Sequence, residues 1–400
     1  MTLADQLIAL GGAFLAAALI AKFGRRIGLP TIPLFIFAGI MFGPNTPGVV
    51  LFENPADLKL LATLGLIFLL FYLGLEFRVD QIIEGGGKLV LSGVAYIVLN
   101  VGGGFIFGML LGWGMKEAIV LAGALGISSS AITTKIVVET KRLKNPETKL
   151  ILGITVFEDL FLALYLAVVT PLVSGATETG EIIRDVVVGF AFLFVLACVA
   201  RWGAAGVGKL INSPDDELLI IGFIGLVVFM SGVAEELGVS DAIGAFMVGL
   251  ILAETRARRR IEKFVKPLRD AFGALFFFYF GLQLVPESLI DIAGLIALAV
   301  LMTMVTVWCA GTVAARIHEM GPPQAANVAL TVFARGEFAL ILVTLAANAN
   351  LDERMASLIG GYVLVLAVIG PLMASRSQLF VPAFPKRFFP AAGRQSEITA

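Results

Sequence analysis

Apolar segments of membrane-spanning length recur along the whole chain and constrain its fold more than any other feature of the sequence. Only 15% of the 400 residues are charged and 58% are hydrophobic, which leaves too little polar surface for a water-soluble protein of this size. In lipid, every backbone polar group must be satisfied within the protein, and a helix does this inside one segment. The sequence therefore predicts an all-α, polytopic membrane protein embedded in the lipid bilayer, with no nucleic acid as a partner.

The apolar segments and the basic loops predict thirteen spans and an orientation. The spans are expected near residues 3–23, 30–45, 57–76, 88–112, 117–138, 147–173, 183–208, 217–235, 240–254, 265–285, 288–315, 322–348 and 354–379. Lys and Arg concentrate in one alternating set of loops, most densely between Arg256 and Arg269, and such loops stay on the cytoplasmic side. We therefore expect an outside N-terminus and a short cytoplasmic tail over 381–400. The basic run is interpreted first as a topology determinant, with anionic lipid or a regulatory subunit as possible contacts.

Two adjacent carboxylates, Glu158 and Asp159, lie in the middle of the apolar stretch that runs from about Leu150 to Val173. One carboxylate at bilayer depth costs about 2.5–3.5 kcal/mol, so an adjacent pair requires water, a proton or a bound cation. The pair is also expected to titrate as a coupled unit. It predicts a functional site at which protons exchange against metal cations.

An internal repeat is indicated by residues 71–76, Phe-Tyr-Leu-Gly-Leu-Glu, which resemble residues 278–283, Phe-Tyr-Phe-Gly-Leu-Gln, 207 positions later. The same offset places Ser128–Ser130 on Arg335–Glu337. Seven spans separate equivalent helices, an odd number, so the two copies are inverted, as in many secondary transporters. Chance similarity between Phe- and Gly-rich helices is the alternative. The predicted domain of residues 1–380 contains repeat one near 3–173, a linking helix near 183–208 and repeat two near 217–379.

The two polar triplets also predict a helix interruption in each repeat. Ser128, Ser129 and Ser130 lie in span five, and Arg335 and Glu337 lie in span twelve. Ser and Gly loosen the helical hydrogen-bond ladder, and an unwound turn is tolerated in a membrane where it lines a cavity. Its carbonyl groups can coordinate cations, while Arg335 and Glu337 would compensate the partial charges of the half-helix ends. The alternative for the serines is a continuous helix whose hydroxyls permit close packing.

Three further polar residues are candidates for accessory roles at the site: Thr134, Lys135 and Gln283. Lys135 follows the serines by about one turn and either extends towards the cytoplasmic interface or neutralises the carboxylates. Gln283 corresponds to Glu76 in the repeat, where a role at the helix end is favoured over ion binding.

Five motifs in this order resemble those of the bacterial monovalent cation:proton antiporter-2 family. They are Leu29-Pro30 with Gly39 and Gly43-Pro44, Leu73-Gly74-Leu75-Glu76, Ser128 to Ala131, Glu158-Asp159, and Arg335 to Phe338. The resemblance covers about residues 5–380 and implies a sodium/proton antiporter-like fold. It implies a homodimer of thirteen-helix protomers, each with a dimerisation domain and a core domain in which two interrupted helices cross beside a carboxylate.

The resemblance also implies roles for individual residues. By position, Asp159 is similar to the aspartate that binds the transported monovalent metal ion and the proton, and Glu158 occupies a position where other members have Asp, Asn or Gln. Ser128 to Ser130 match the first crossover, and Arg335 and Glu337 match the second. We expect Glu158 and the hydroxyls of Ser128, Ser129 and Ser130 to bind the cation together with Asp159. The expected function is exchange of potassium, with sodium or ammonium as alternatives, for protons across the bacterial inner membrane, with no catalytic residue and no cofactor.

The chain departs from the electrogenic sodium/proton members of that family in one respect. Those members carry a lysine in the span equivalent to 271–285, and this chain has none there, which favours electroneutral exchange. About twenty residues follow Leu379, so a regulatory subunit is expected to be a separate cytoplasmic protein.

Two other functional classes also place polar residues inside a membrane protein. A cation-coupled symporter of a small organic anion could use a related inverted-repeat fold, but few further polar residues lie near the carboxylates. An intramembrane protease would need aspartates on two helices or several histidines, and His318 is the one histidine of the chain. We therefore expect a transporter and not an enzyme.

Overall fold

A computed structural model describes residues 2–26, 31–76, 79–173, 179–237, 240–349 and 351–389. The regular secondary structure in these ranges is helical, which confirms the predicted all-α class. The Leu29-Pro30 motif and the end of the tail, residues 390–400, lie outside the described residues.

The α-helices follow one another along the chain with short connections. They are α1 Leu3–Arg26, α2 Thr31–Met41, α3 Lys59–Glu76, α4 Val79–Leu111, α5 Met115–Gly126, α6 Ser130–Glu139, α7 Pro146–Val173, α8 Thr179–Cys198, α9 Ala204–Ile211, α10 Asp216–Glu236, α11 Asp241–Ala253, α12 Arg258–Gln283, α13 Pro286–Asp291, α14 Ala293–Ile317, α15 Pro322–Thr331, α16 Glu337–Asn348 and α17 Arg354–Ser375. Short 3-10 turns follow α17 at Ser377–Ala383 and Lys386–Phe388.

Each of the thirteen predicted spans corresponds to one of these helices or to two consecutive ones. Spans five and twelve are each divided into two helices, α5 with α6 and α15 with α16, and span seven continues from α8 through a π-helical turn into α9. Within the described residues, eight helical segments are long and apolar enough to cross a membrane. The chain is therefore a multi-pass membrane protein.

The helices form two compact units, each drawn from both predicted repeats. The first unit comprises Met1–Phe77 and Ala163–Val285, and the second comprises Arg78–Leu162 and Pro286–Ala400. The first contains α1–α3 and α8–α12; the second contains α4–α6, most of α7, and α13–α17.

Two glycine crossings in the first unit are related to each other by the predicted repeat. Gly39 on α2 meets Gly281 on α12 so closely that a Cβ on Gly281 would lie 2.1 Å from the carbonyl oxygen of Ile36. Gly74 on α3 meets Gly249 on α11 in the same way, with an added Cβ within 2.3 Å of backbone oxygen. The repeat relates α3 to α12 and α2 to α11, so one crossing is the copy of the other. The motif similarity around Gly74 and Gly281 thus reflects a shared packing requirement for a residue without a side chain.

We expect Gly281→Ala to destabilise the protein by about 1–3 kcal/mol, because the new methyl group would overlap backbone atoms that cannot change rotamer. Gly273→Ala is the matched control on the same helix, since a Cβ there meets nothing within 4 Å. Thermal unfolding of both purified variants measures the difference. Equal melting temperatures for the two would show that the crossing tolerates a side chain.

Candidate functional site

The two predicted helix interruptions are present in the second unit, and they meet there. Residues 127–129 separate α5 from α6, and residues 332–336 separate α15 from α16. The backbone N–H of Ser129 in the first break donates to the carbonyl oxygen of Ala334 in the second at 3.0 Å. The expectation of two crossing interrupted helices is therefore confirmed.

The local sequence explains why both helices restart where they do. Ser129 has extended dihedral angles, and its hydroxyl accepts the backbone N–H of Ile132 at 3.3 Å, which is the N-cap arrangement that begins α6. Gly336 precedes α16, and a Cβ on it would lie 2.8 Å from the Ser129 hydroxyl oxygen. A glycine at this position therefore allows the two breaks to approach closely.

Arg335 lies at the centre of the crossing and is fully buried, at 0% exposure. Its Nε donates to the carbonyl oxygen of Leu125 at 2.9 Å, its Nη1 to that of Val332 at 2.8 Å, and its Nη2 to Asn100 Oδ1 at 3.4 Å. Leu125 belongs to the last turn of α5, and Val332 follows α15 directly. The guanidinium therefore lies where the carboxyl ends of two half-helices concentrate partial negative charge. This geometry agrees with the compensating role expected for Arg335.

Polar side chains that sequence reasoning missed surround the guanidinium. They are Tyr96, Asn100, Thr303, Thr306 and Tyr362. The two tyrosine hydroxyls donate to the same carbonyl oxygens as Arg335, at 3.2 and 3.4 Å. The Thr306 hydroxyl donates to Asn100 Oδ1 at 2.8 Å. One signal for them was present in the sequence, since Tyr96 and Asn100 are polar residues four positions apart in an apolar span.

Glu158 lies beside the first break and is 1% exposed. One carboxylate oxygen accepts the backbone N–H of Ser128 at 2.9 Å, and the other accepts the Ser128 hydroxyl. Ser128 directly precedes the N-cap of α6, where a half-helix carries partial positive charge. Glu158 and Arg335 also interact electrostatically. Three of the four half-helix ends at the crossing, the ends of α5 and α15 and the start of α6, thus have a side chain of opposite sign beside them.

Asp159 follows Glu158 on α7 and is 5% exposed. Adjacent residues on a helix point about 100° apart, so the two carboxyl groups face different surroundings. An ionised Asp159 carries one formal negative charge. One proton or one monovalent cation at its carboxyl group offsets that charge.

The other predicted site residues lie in different environments. Ser130 is the half-buried first residue of α6, Thr134 on that helix is exposed, and Lys135 is half-buried. Gln283 is exposed at the end of α12 and belongs to the first unit, while the carboxylate pair belongs to the second. Glu337 begins α16, but its side chain lies outside the described part of the chain.

Residues 271–285, which contain no lysine, include the end of α12, and this helix is in the first unit. In the second unit, α14 is one of the helices that reach the Arg335 network, through Thr303 and Thr306. The sequence of α14 contains no Asp, Glu, Lys or Arg from Ala293 to Ala315. This helix therefore supplies hydroxyl groups to the site and no further charged side chain.

Comparison with known proteins decides the family. The transmembrane sodium/hydrogen exchanger family matches residues 13–376. The chain belongs to this family. The K(+)/H(+) antiporter subunit KhtU of Bacillus subtilis is 37% identical to this exchanger over 374 residues, covering 92% of both chains. The ammonium/H(+) antiporter subunit AmhT of Alkalihalophilus pseudofirmus is 28% identical over 373 residues, covering 92% of this chain and 90% of that protein.

Solved structures agree on the fold of this exchanger. The sodium proton antiporter MjNhaP1 from Methanocaldococcus jannaschii superimposes with a TM-score of 0.73, covering 94% of this chain and 100% of that one. The two sequences are 16% identical, so the similarity shows a shared fold and does not bear on the transported ion.

Glu158→Gln is expected to keep part of the exchange activity and to lower stability by about 1.5–3 kcal/mol, the range for a hydrogen bond to a charged group. The amide can still accept the Ser128 backbone N–H, but it brings no negative charge to the start of α6. Ser128→Ala is the companion variant, because it removes the hydroxyl contact and leaves the carboxylate in place. Melting temperature and exchange rate are measured together. Complete loss of exchange in a folded Glu158→Gln protein would make both acids carriers.

Proposed function

We propose that this exchanger is a secondary active antiporter that moves a monovalent cation, foremost potassium, against protons across the bacterial cytoplasmic membrane. The observation that supports this most strongly is the buried Asp159 next to Glu158, which itself contacts the break between α5 and α6. The names of KhtU and AmhT, a potassium/proton and an ammonium/proton antiporter subunit, support potassium and ammonium as substrates. An organic-anion symporter gains no support from these relatives.

In the proposed cycle, Asp159 binds either a proton or a cation. Protonated, its side chain is neutral and stable in the buried site. Deprotonated, it binds a partly dehydrated cation together with oxygen atoms of the unwound segments. Both loaded forms offset the negative charge of the Asp159 carboxylate, whereas the empty form leaves an ionised carboxylate without a bound proton or cation, which is costly at membrane depth. The site therefore changes its accessibility from one side of the membrane to the other slowly when it is empty. Because only the loaded site reorients readily, each proton that crosses is exchanged for a cation.

Glu158 and Arg335 stay in one protonation state in this cycle. Glu158 accepts two hydrogen bonds from Ser128, and Arg335 donates to backbone carbonyl groups whose positions are set by the half-helices. Their function is to hold the crossing together and to balance its helix ends, so that Asp159 alone changes its ligand.

The experiment that tests the function is dissipation of a pH gradient by the purified protein in proteoliposomes. Potassium, sodium, lithium and ammonium salts are added at equal concentration, with and without an organic anion such as succinate. We expect potassium to collapse the gradient at the lowest concentration and the organic anion to have no effect. A gradient that no monovalent cation dissipates, or that requires the anion, would contradict the proposal.

We expect the exchange to be electroneutral, with one cation moved per proton. Asp159 exchanges a single charge for a single charge, and the sequence of α14 contains no Asp, Glu, Lys or Arg between Ala293 and Ala315. A membrane potential of either sign is imposed on proteoliposomes, and the initial rate and end point of exchange are recorded. Neither should depend on the sign; a clear dependence would show that a second group moves charge.

Assembly, division into domains and topology are further parts of the proposal. We place the dimerisation domain in the first unit and the core domain in the second, within an inverted repeat that spans about 1–380. The protein would act as a homodimer with an outside N-terminus and a cytoplasmic C-terminus. The word subunit in the name of KhtU supports a separate partner protein, for which we propose a regulatory role on the cytoplasmic side.

A further inference from the structure

A groove of about 560 Å³ lies between α1, α2 and α12 in the first unit. Its wall is apolar along α1, where Phe14 and Ala18 line it. Its rim is basic, because Lys22, Arg25 and Arg26 line the same groove at the end of α1. An apolar channel with cations at one end is amphipathic along its length, as a lipid molecule is.

The three basic side chains are available to a ligand. All three are exposed, and none of them makes an ion pair with an acidic side chain in the part of the chain that the structure describes. Arg26 lies over the ring of Phe23, with 5.6 Å from its guanidinium carbon to the ring centroid. The cluster therefore presents positive charge that the described residues leave uncompensated.

The dimensions of the groove match one leaflet of a bilayer. α1 has 24 residues, and at about 1.5 Å per residue it is long enough to cross a hydrocarbon core of about 30 Å. Its basic end therefore lies at one membrane surface. Phe14 precedes Lys22 by eight residues, which places it about 12 Å deeper, within the roughly 15 Å depth of a single leaflet.

We propose that this groove binds one anionic phospholipid, with the phosphate at Lys22, Arg25 and Arg26 and an acyl chain along Phe14 and Ala18. The headgroup supplies the negative charge that the rim lacks, and Arg and Lys are the side chains that recognise phosphate. A second copy placed over the groove by a two-fold axis would bring an identical basic cluster into the same interface. Charge complementarity thus favours the lipid over a second protein chain.

The charge of the rim is tested with the double variant Arg25→Gln/Arg26→Gln. The double variant Lys144→Gln/Lys149→Gln is the control, because it removes the same charge from two exposed positions that do not line the groove and that lie outside the basic run between Arg256 and Arg269. Dioleoyl phosphatidylglycerol and dioleoyl phosphatidylcholine are titrated onto each protein in detergent, and bound lipids are counted by native mass spectrometry. We expect one tight phosphatidylglycerol per protomer in the wild type and the control. The rim variant should bind it about 25-fold more weakly, from about five-fold per charge.

The groove itself is tested with Ala18→Phe, which fills it without changing charge. Leu19→Phe is the control, because Leu19 is exposed on the same helix and does not line the groove. Loss of phosphatidylglycerol binding in Ala18→Phe alone supports the proposal. Equal binding of both lipids, or equal loss in both double variants, would overturn it. A shift of Ala18→Phe from dimer to monomer with intact lipid binding would also overturn it, by showing a protein interface.

Discussion

Asp159→Asn lowers cation-driven proton movement to the level of protein-free liposomes, while the protein stays folded. Asn has nearly the shape of Asp and fits the same buried position, but it neither releases a proton nor offers a negative charge to a cation. The measurement is the rate at which added potassium collapses a pH gradient in proteoliposomes, together with the melting temperature of the purified variant.

Glu158→Gln is the matched control for this experiment, because it makes the same chemical change one residue earlier on α7. It should retain exchange that Asp159→Asn lacks. An Asp159→Asn protein that collapses the gradient at a rate near that of the wild type would remove Asp159 as the carrier and with it the proposed cycle.

Arg335→Ala destabilises the protein by about 3–5 kcal/mol, the cost of removing one member of a buried charged network. The change leaves the carbonyl oxygens of Leu125 and Val332 without their guanidinium donor. It also removes the positive charge that attracts the Glu158 carboxylate. Arg335→Lys restores the charge but only part of the stability, since one ammonium cannot reproduce the spread of guanidinium donors. Thermal unfolding in detergent measures both effects.

Arg354→Ala is the control for the loss of an arginine, because Arg354 is paired with Asp352 at the surface and its side chain is 56% exposed. Its melting temperature should stay close to that of the wild type. An Arg335→Ala protein as stable as Arg354→Ala would show that Arg335 does not hold the helix crossing together.

The helix interruptions and the repeat could be predicted because they violate the rules for a continuous apolar helix. Serines in a row and an Arg-Gly-Glu triplet are expensive inside a membrane span, so the sequence shows them directly. Gly74 and Gly281 were visible as a repeated motif, and the structure supplies the reason, a backbone contact too close for a Cβ.

The hydrogen-bond partners at the crossing could not be predicted in the same way. Tyr96, Thr303 and Tyr362 lie on three different helices, and only tertiary packing brings their hydroxyl groups to one place. The serines illustrate the same limit. That they bind the cation stays a prediction, and the structure adds contacts that the sequence does not indicate: the Ser128 hydroxyl donates to Glu158, and the Ser129 hydroxyl accepts a backbone N–H at the start of α6. Local propensity indicates that a helix breaks, but not which groups the freed atoms contact.

The central claim is that a proton and a cation occupy Asp159 in turn, and competition between them tests it most directly. The potassium concentration that gives half-maximal exchange is measured in proteoliposomes at a series of pH values, for the wild type and for Glu158→Gln. The account predicts that this concentration rises in proportion to the proton concentration once Asp159 is mostly protonated, while the maximal rate stays constant. The contradicting result is a maximal rate that decreases as the pH is lowered, while the half-saturating potassium concentration stays unchanged. It would show that the protein binds a proton and a potassium ion at the same time.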